Sequence, residues 1–197
     1  AGTSITTGNQ NTIFGSQAGD ALTDADFNVA MGYNALTSDT LGSKSVAIGQ
    51  GTLKEQNFTT ATDTFNTAVG YQAGKEVTTG IQNTLIGGLA GDAITDADYN
   101  VAVGYGSLGA NTVGSRSVAI GFNALEVQNP ATAATMYNVA VGASAGASVT
   151  TGVNNTIVGG LAGDAFTDAD DNVAVGVTAL TADTLGSRSV AIGRSAL

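Results

Sequence analysis

The residues in this chain best equipped for chemistry are aspartates. Asp20, Asp24 and Asp26 recur as Asp92, Asp96 and Asp98, and again as Asp164, Asp168 and Asp170, with Asp171 added. An Asp-x-Asp pair with a third carboxylate four residues earlier offers the hard oxygen donors that Ca2+ takes. The glycine and closing glutamate of an EF-hand loop are missing. The same aspartates can instead cap turns by accepting from nearby backbone N–H groups. Lys44, Arg116 and Arg188 each follow Asp26, Asp98 and Asp170 by 18 residues. That spacing suits an exposed ion pair between neighbouring turns of a repeat, worth about 0–1 kcal/mol. Calcium binding and turn capping with ion pairing both stay open here.

Other chemistry has little to work with. There is no His for proton shuttling and no Cys nucleophile or thiolate ligand. The carboxylates recur with the repeat, whereas a catalytic pair is normally unique. Gly87-Gly88-Leu89-Ala90-Gly91 lacks the Lys-Ser/Thr that ends a phosphate loop. We therefore expect no enzyme, no catalytic residue and no organic cofactor. Net charge is −10 with only six Lys and Arg, and 13 of the 16 acidic residues are Asp. Such a surface disfavours nucleic acid and anionic membranes. No apolar run approaches the roughly 20 residues of a membrane helix, so membrane insertion is not expected.

What positions these residues is a repeat. Asn66-Thr67-Ala68-Val69-Gly70 and Ser45-Val46-Ala47-Ile48-Gly49 are two of eleven copies of one pattern, with glycines at 15, 32, 49, 70, 87, 104, 121, 142, 159, 176 and 193. The steps are 17, 17, 21 and 17 residues, and the series closes every 72. This divides a single repeat domain, 1–197, into super-repeats 1–72, 73–144 and an incomplete 145–197. The chain begins at Ala1 and stops at Leu197 in mid-pattern, as expected of a fragment of a longer fibre. Helical repeats need about 33 residues or more, and no window holds helical apolar spacing. The expected fold is all-β: a parallel β-solenoid (β-roll or β-helix) of about eleven coils of 17–21 residues.

Alternation within the motif assigns faces. Phe14, Met31, Ile48, Val69, Ile86, Val103, Ile120, Val141, Val158, Val175 and Ile192 precede the glycines. With the Thr or Val two residues earlier, these large residues are expected to form the coil core. The interleaved face carries Ala30, Ala47, Ala68, Ala102, Ala119, Ala140, Ala174 and Ala191, followed by Gly32, Gly49, Gly70, Gly104, Gly121, Gly142, Gly176 and Gly193. Gly weakens an exposed strand, so an Ala/Gly column suggests that another chain packs closely there. On this reading Ala47→Lys blocks assembly and Ile48→Ala loosens the coil. The small residue three places after each glycine is expected to lie in a second short strand. Asn or Ser opens each motif, in register for a ladder of side-chain hydrogen bonds. The residue after each glycine varies, as do the longer loops 54–64 and 126–135, and loops on a rigid scaffold are where binding usually sits.

Ser45-Val46-Ala47-Ile48-Gly49 resembles the head repeat of trimeric autotransporter adhesins. Asn66-Thr67-Ala68-Val69-Gly70-Tyr71-Gln72-Ala73-Gly74 is closer to the 17-residue repeats of bacteriophage tail-fibre proteins. The likeness covers nearly the whole chain, apart from the 21-residue coils and the Asp-rich turns. It implies a left-handed coil, a homotrimer, and an extracellular place on a virion tail fibre or a bacterial cell surface. The expected function is a structural attachment-fibre segment, shaft or head, supporting contact with a host-surface glycan or protein. A bacterial surface adhesin is the nearest alternative. An ice-binding solenoid is an alternative of another class, although the Thr column at 12, 67, 84 and 156 is interrupted by Val and is expected to face inward.

Overall fold

A three-residue strand is all that each repeat allows. It is opened by Asn or Ser, which favour turns, and closed by a glycine whose backbone leaves the β region. The computed structural model, which describes residues 1–197, contains strands and turns and no helix. The strands are β1 (Thr12–Phe14), β2 (Val29–Met31), β3 (Gly42–Ser43), β4 (Val46–Ile48), β5 (Thr62–Asp63), β6 (Thr67–Val69), β7 (Thr84–Ile86) and β8 (Val101–Val103). They continue as β9 (Gly114–Ser115), β10 (Val118–Ile120), β11 (Ala134–Thr135), β12 (Val139–Val141), β13 (Thr156–Val158), β14 (Val173–Val175) and β15 (Val190–Ile192). The eleven three-residue strands form one parallel sheet in the order β1-β2-β4-β6-β7-β8-β10-β12-β13-β14-β15. Each coil thus places one strand on the next, with like residues in register: Ala30 on Ala47, and Ala102 on Ala119. This is a parallel β-solenoid of about eleven coils. The four extra residues of each 21-residue coil create a second, two-stranded ladder, β3 with β5 and β9 with β11.

After each strand the chain turns; it does not form the expected second strand. In the second coil the Ala35 N–H donates to the Gly32 carbonyl at 3.4 Å, with Asn34 between them in the left-handed region at φ 57°. The small residue at this place is small because it is packed inside: Ala18, Ala35, Ala73, Ala90, Ala124, Ala145, Ala162 and Ala179 are buried.

The sheet faces the opposite way from the sequence expectation. Ala30, Ala47, Ala68, Ala102, Ala119, Ala140, Ala174 and Ala191 are 0–2 % exposed and line the interior of the single chain, so they are not available to another subunit. The residues expected in the core are on the outside. Phe14 is 72 % exposed, Met31 38 %, Ile48 37 %, Ile86 39 %, Ile120 38 % and Ile192 71 %. Val69, Val103, Val141, Val158 and Val175 are half-buried. The reason is the thinness of the coil, in which an inward methyl is matched by a large residue from the turns. Where the residue four after the glycine is leucine (Leu36, Leu53, Leu108, Leu125, Leu180), it fills the interior opposite the alanines. Where that residue is glycine, a larger strand residue or a residue seven after the motif glycine takes the space. A Cβ on Gly91 would sit 2.8 Å from both Leu85 Cδ2 and Ile94 Cδ1, and one on Gly163 would sit 2.7 Å from the Phe166 ring. Interiors pack at nearly constant density, so size at one position dictates size at its opposite.

The motif glycines are also an internal requirement. Gly104 has φ +133°, and a Cβ there would lie 2.4 Å from the Gly121 carbonyl oxygen of the next coil. The same approach recurs at Gly32, Gly49, Gly70, Gly121, Gly142 and Gly176, while Gly193 has the strained φ alone. The glycine column answers to its own chain's next rung, and an intersubunit contact is not needed to explain it.

The expected amide ladder is present, in side-chain-to-backbone form. Asn100 Oδ1 accepts from the Ser117 N–H at 2.9 Å, and its Nδ2 donates to the Gly114 carbonyl at 3.0 Å. Asn28, Asn83, Asn155 and Asn172 repeat the scheme. At Ser45 and Ser117 the side chain is too short, and a buried glutamine bridges the gap. Gln56 Nε2 donates to Ser45 Oγ at 2.9 Å and its Oε1 accepts from Asn66 Nδ2 at 2.9 Å; Gln128 does the same between Ser117 and Asn138.

Candidate functional site

The outward face of the large sheet is the most unusual surface of the chain. Two side chains per strand point out: the residue before the glycine, and the Val or Thr two places earlier. Val29, Val46, Val101, Val118, Val139 and Val173 stand half-buried beside the Met, Ile and Val column. The threonines expected inside are in this outward column as well, with Thr12 and Thr156 exposed and Thr67 and Thr84 half-buried. Eleven rungs at about 4.8 Å make a strip roughly 50 Å long and 10 Å wide, or roughly 500 Å2. That matches the largest apolar patches of ordinary monomers, about 300–600 Å2, which are commonly functional.

Aromatic rows border the strip. On one side stand Tyr33, Tyr71, Tyr105 and Phe122, each directly after a motif glycine and 52–55 % exposed. The Tyr105 and Phe122 rings stack at 5.8 Å between centroids and 13° between planes. On the other side, directly before the ladder asparagines, stand Phe27, Phe65, Tyr99 and Tyr137. This second row went unread in the sequence, although it occupies a constant slot. Every residue of that slot, from Gln10 to Arg188, has a left-handed backbone near φ +60°. The Lys44 ammonium lies 5.2 Å from the Phe65 ring centroid and the Arg116 guanidinium 4.8 Å from that of Tyr99. Lysine and arginine are thereby held along this edge by cation–π contact.

The aspartates do not assemble a metal centre. No group of three or more acidic side chains is placed to hold a metal ion. Asp26, Asp98 and Asp170 each cap the preceding coil, accepting from the N–H groups of Asn9, Ile81 and Val153 at 2.7–2.8 Å. Asp24 accepts from the Thr7 hydroxyl and Asp168 from Thr151, while Asp96 accepts from its neighbour Thr95 at 3.1 Å. Ala25, Ala97 and Ala169 point inward between the flanking aspartates, which spreads the carboxylates apart. Asp20 and Asp92 lie half-buried on the next face, and Asp164 is held by the Thr181 hydroxyl at 2.5 Å. Asp26, Asp98 and Asp170 thus serve as turn caps, Asp24, Asp96, Asp164 and Asp168 accept from threonine hydroxyls, and the nine positions expected to bind calcium form no group of three that could hold a metal ion. The expected ion pairs also differ: Lys44 pairs with Asp63 at 2.5 Å, Arg188 approaches Asp171 at 3.9 Å, and Arg116 turns to Tyr99.

Burial perturbs a carboxylate elsewhere in the chain. Asp39 is fully buried, and desolvation raises its pKa above the ordinary 3.8 even though it accepts from the Phe58 and Gly42 N–H groups and from Gln56 Nε2. Asn111 occupies the equivalent place one super-repeat later, so the position serves the fold and does not require a charge.

Comparison with known protein families, with curated proteins and with solved structures finds no match. No helix is long and apolar enough to cross a membrane.

Proposed function

We propose that this chain is a segment of an extracellular attachment fibre, a left-handed β-solenoid working as a homotrimer through its outward apolar strip. The observation that supports it most directly is the continuity of that strip: Met31, Ile48, Ile86 and Ile120 stand 37–39 % exposed in one line. A line of large apolar side chains kept in register over the full length of a rod gains free energy when parallel copies cover it. The assembly partner is another copy of the chain, and the resemblance of the repeats favours three copies. The role is mechanical and non-enzymatic. A stiff rod holds its surface loops at fixed intervals, and three chains present each loop three times, which multiplies weak contacts with a host-surface glycan or protein.

A phage tail fibre is the first reading and a bacterial surface adhesin the second. Outward threonines favour ice binding only weakly, because seven valines interrupt their column. Sedimentation equilibrium tests the assembly: a mass of three 19.3 kDa chains is expected, and a persistent monomer overturns the strip as an interface. Immunogold labelling of virions against bacterial surfaces separates the two fibre readings.

A further inference from the structure

One groove interrupts the otherwise regular surface. It has a volume of about 310 Å3 and is lined chiefly by Asp92, Tyr105, Gly106, Gly109, Asn123 and Glu126, from three successive coils. It starts at Tyr105, on the rim of the apolar strip, and follows the turns beyond it. The super-repeat itself provides the control, because residues 72 apart occupy equivalent places. Gly109 stands where Thr37 and Thr181 stand, and Gly106 where Asn34 and Thr178 stand. Two side chains that fill this surface elsewhere are therefore absent here, and the groove is the space they leave.

The third super-repeat shows what the replacement removes, while in the first Thr37 makes no hydrogen bond to Asp20. Thr181 donates its hydroxyl to Asp164 at 2.5 Å. At the equivalent place Gly109 has no hydroxyl to give. A Cβ on it would lie 3.6 Å from Asp92 Oδ1, so Asp92 faces that gap as Asp164 faces Thr181. Half-buried, with its pKa lifted by desolvation against the smaller opposing effect of the nearby Lys75 ammonium, Asp92 accepts no side-chain hydrogen bond in the chain. On the opposite wall the Asn123 amide comes so near Gly106 that a Cβ there would meet its Oδ1 at 2.5 Å. Tyr105 supplies an exposed ring, supported on one side by Phe122.

We propose that this groove binds one neutral sugar ring of a polysaccharide. A pyranose has apolar C–H faces and a rim of hydroxyls. The Tyr105 ring suits the first. The Asp92 and Glu126 carboxylates, which only accept, and the Asn123 amide, which donates and accepts, suit the second. No Lys or Arg lines the groove and both charged groups are acidic, so sialic acids and phosphorylated sugars are disfavoured. The volume lies at the lower end of ligand pockets, about 300–1,000 Å3, which limits the fit to a single ring and its substituents. The geometry belongs to one chain and does not depend on trimer formation; only its meaning as a host contact rests on the fibre reading.

Saturation-transfer NMR on the full 197-residue chain tests this with neutral hexoses, 6-deoxyhexoses and N-acetylhexosamines, with N-acetylneuraminic acid and choline as charged probes. Neutral sugars are expected to bind. Gly109→Thr and Tyr105→Val restore residues the chain itself uses at Thr181 and Val177, so both should fold. Each should weaken binding by about tenfold or more with melting temperature and mass unchanged. Failure of every neutral sugar to bind, preference for choline, or undiminished binding by both variants overturns the proposal. Mass is read on the same samples. A trimer without sugar binding sinks the groove and leaves the fibre reading standing; a monomer that binds sugar does the reverse.

Discussion

Adjacent residues of β4 provide the sharpest test, because they face opposite ways. Ile48 keeps 37 % of its surface exposed, about 65 Å2, and covering it at about 25 cal/mol per Å2 yields ~1.6 kcal/mol per chain. Across three chains that is ~5 kcal/mol, a factor of roughly 3,000 in the association constant. Ile48→Lys removes this contribution and adds three ammonium groups to one level of the interface. The monomer should keep its fold, since a lysine there reaches solvent. Ala47 is 0 % exposed. Ala47→Lys forces a charge and four methylenes into a filled interior, at a cost of several kcal/mol. Sedimentation velocity and circular dichroism on both variants separate the effects. Ile48→Lys should give a folded monomer, and Ala47→Lys a chain that has lost its cooperative melt. The reverse pattern, an unfolded Ile48→Lys beside a folded Ala47→Lys that fails only to assemble, would refute the assignment of the two faces.

Three further outcomes follow from named contacts. Asn100→Ala leaves the Ser117 N–H without its acceptor in a buried site, while the Gly114 carbonyl keeps its bond from Asn111 Nδ2, and urea titration should show a loss of about 1–3 kcal/mol. Gly104→Ala collides with the next rung and should cost about 3 kcal/mol or more, whereas Gly193→Ala, with φ +124° but no atom within 4 Å, should lose only about 1–2 kcal/mol by thermal melting. For Asp39 the folded-state pKa lies above 3.8, so the folded chain holds its proton more tightly than the unfolded chain. That contribution to stability is fully present below pH 3.8 and is lost as pH rises through the raised value. The melting-temperature advantage of the wild type over Asp39→Asn should therefore shrink steadily from pH 3.8 upward, and an advantage that grows with pH contradicts the burial argument.

The period, the positions of the strands, their in-register stacking and the asparagine ladder are all legible in the order of residues. Each follows from spacing alone, because equivalent residues 17 or 21 apart must lie over one another once the chain coils. Which face of the strand points inward was decided only in three dimensions. Alternation has period two and is symmetric under exchange of faces, and in a three-residue strand with two apolar faces the larger residues looked like the core. The width of the coil settles it. Ala30 or Ala47 fits opposite Leu36 or Leu53, and an inward Ile48 would not. One signal of this was written in the chain: Leu85 interrupts the alanine column in the very coil that carries Gly91 in place of leucine, an exchange of volume that only an interior position requires. The Asp-rich turns show the same division. Their recurrence was legible, but the outward splay of Asp24 and Asp26 around the buried Ala25, which keeps the carboxylates apart and turns each to a neighbouring coil, depends on where the interior lies.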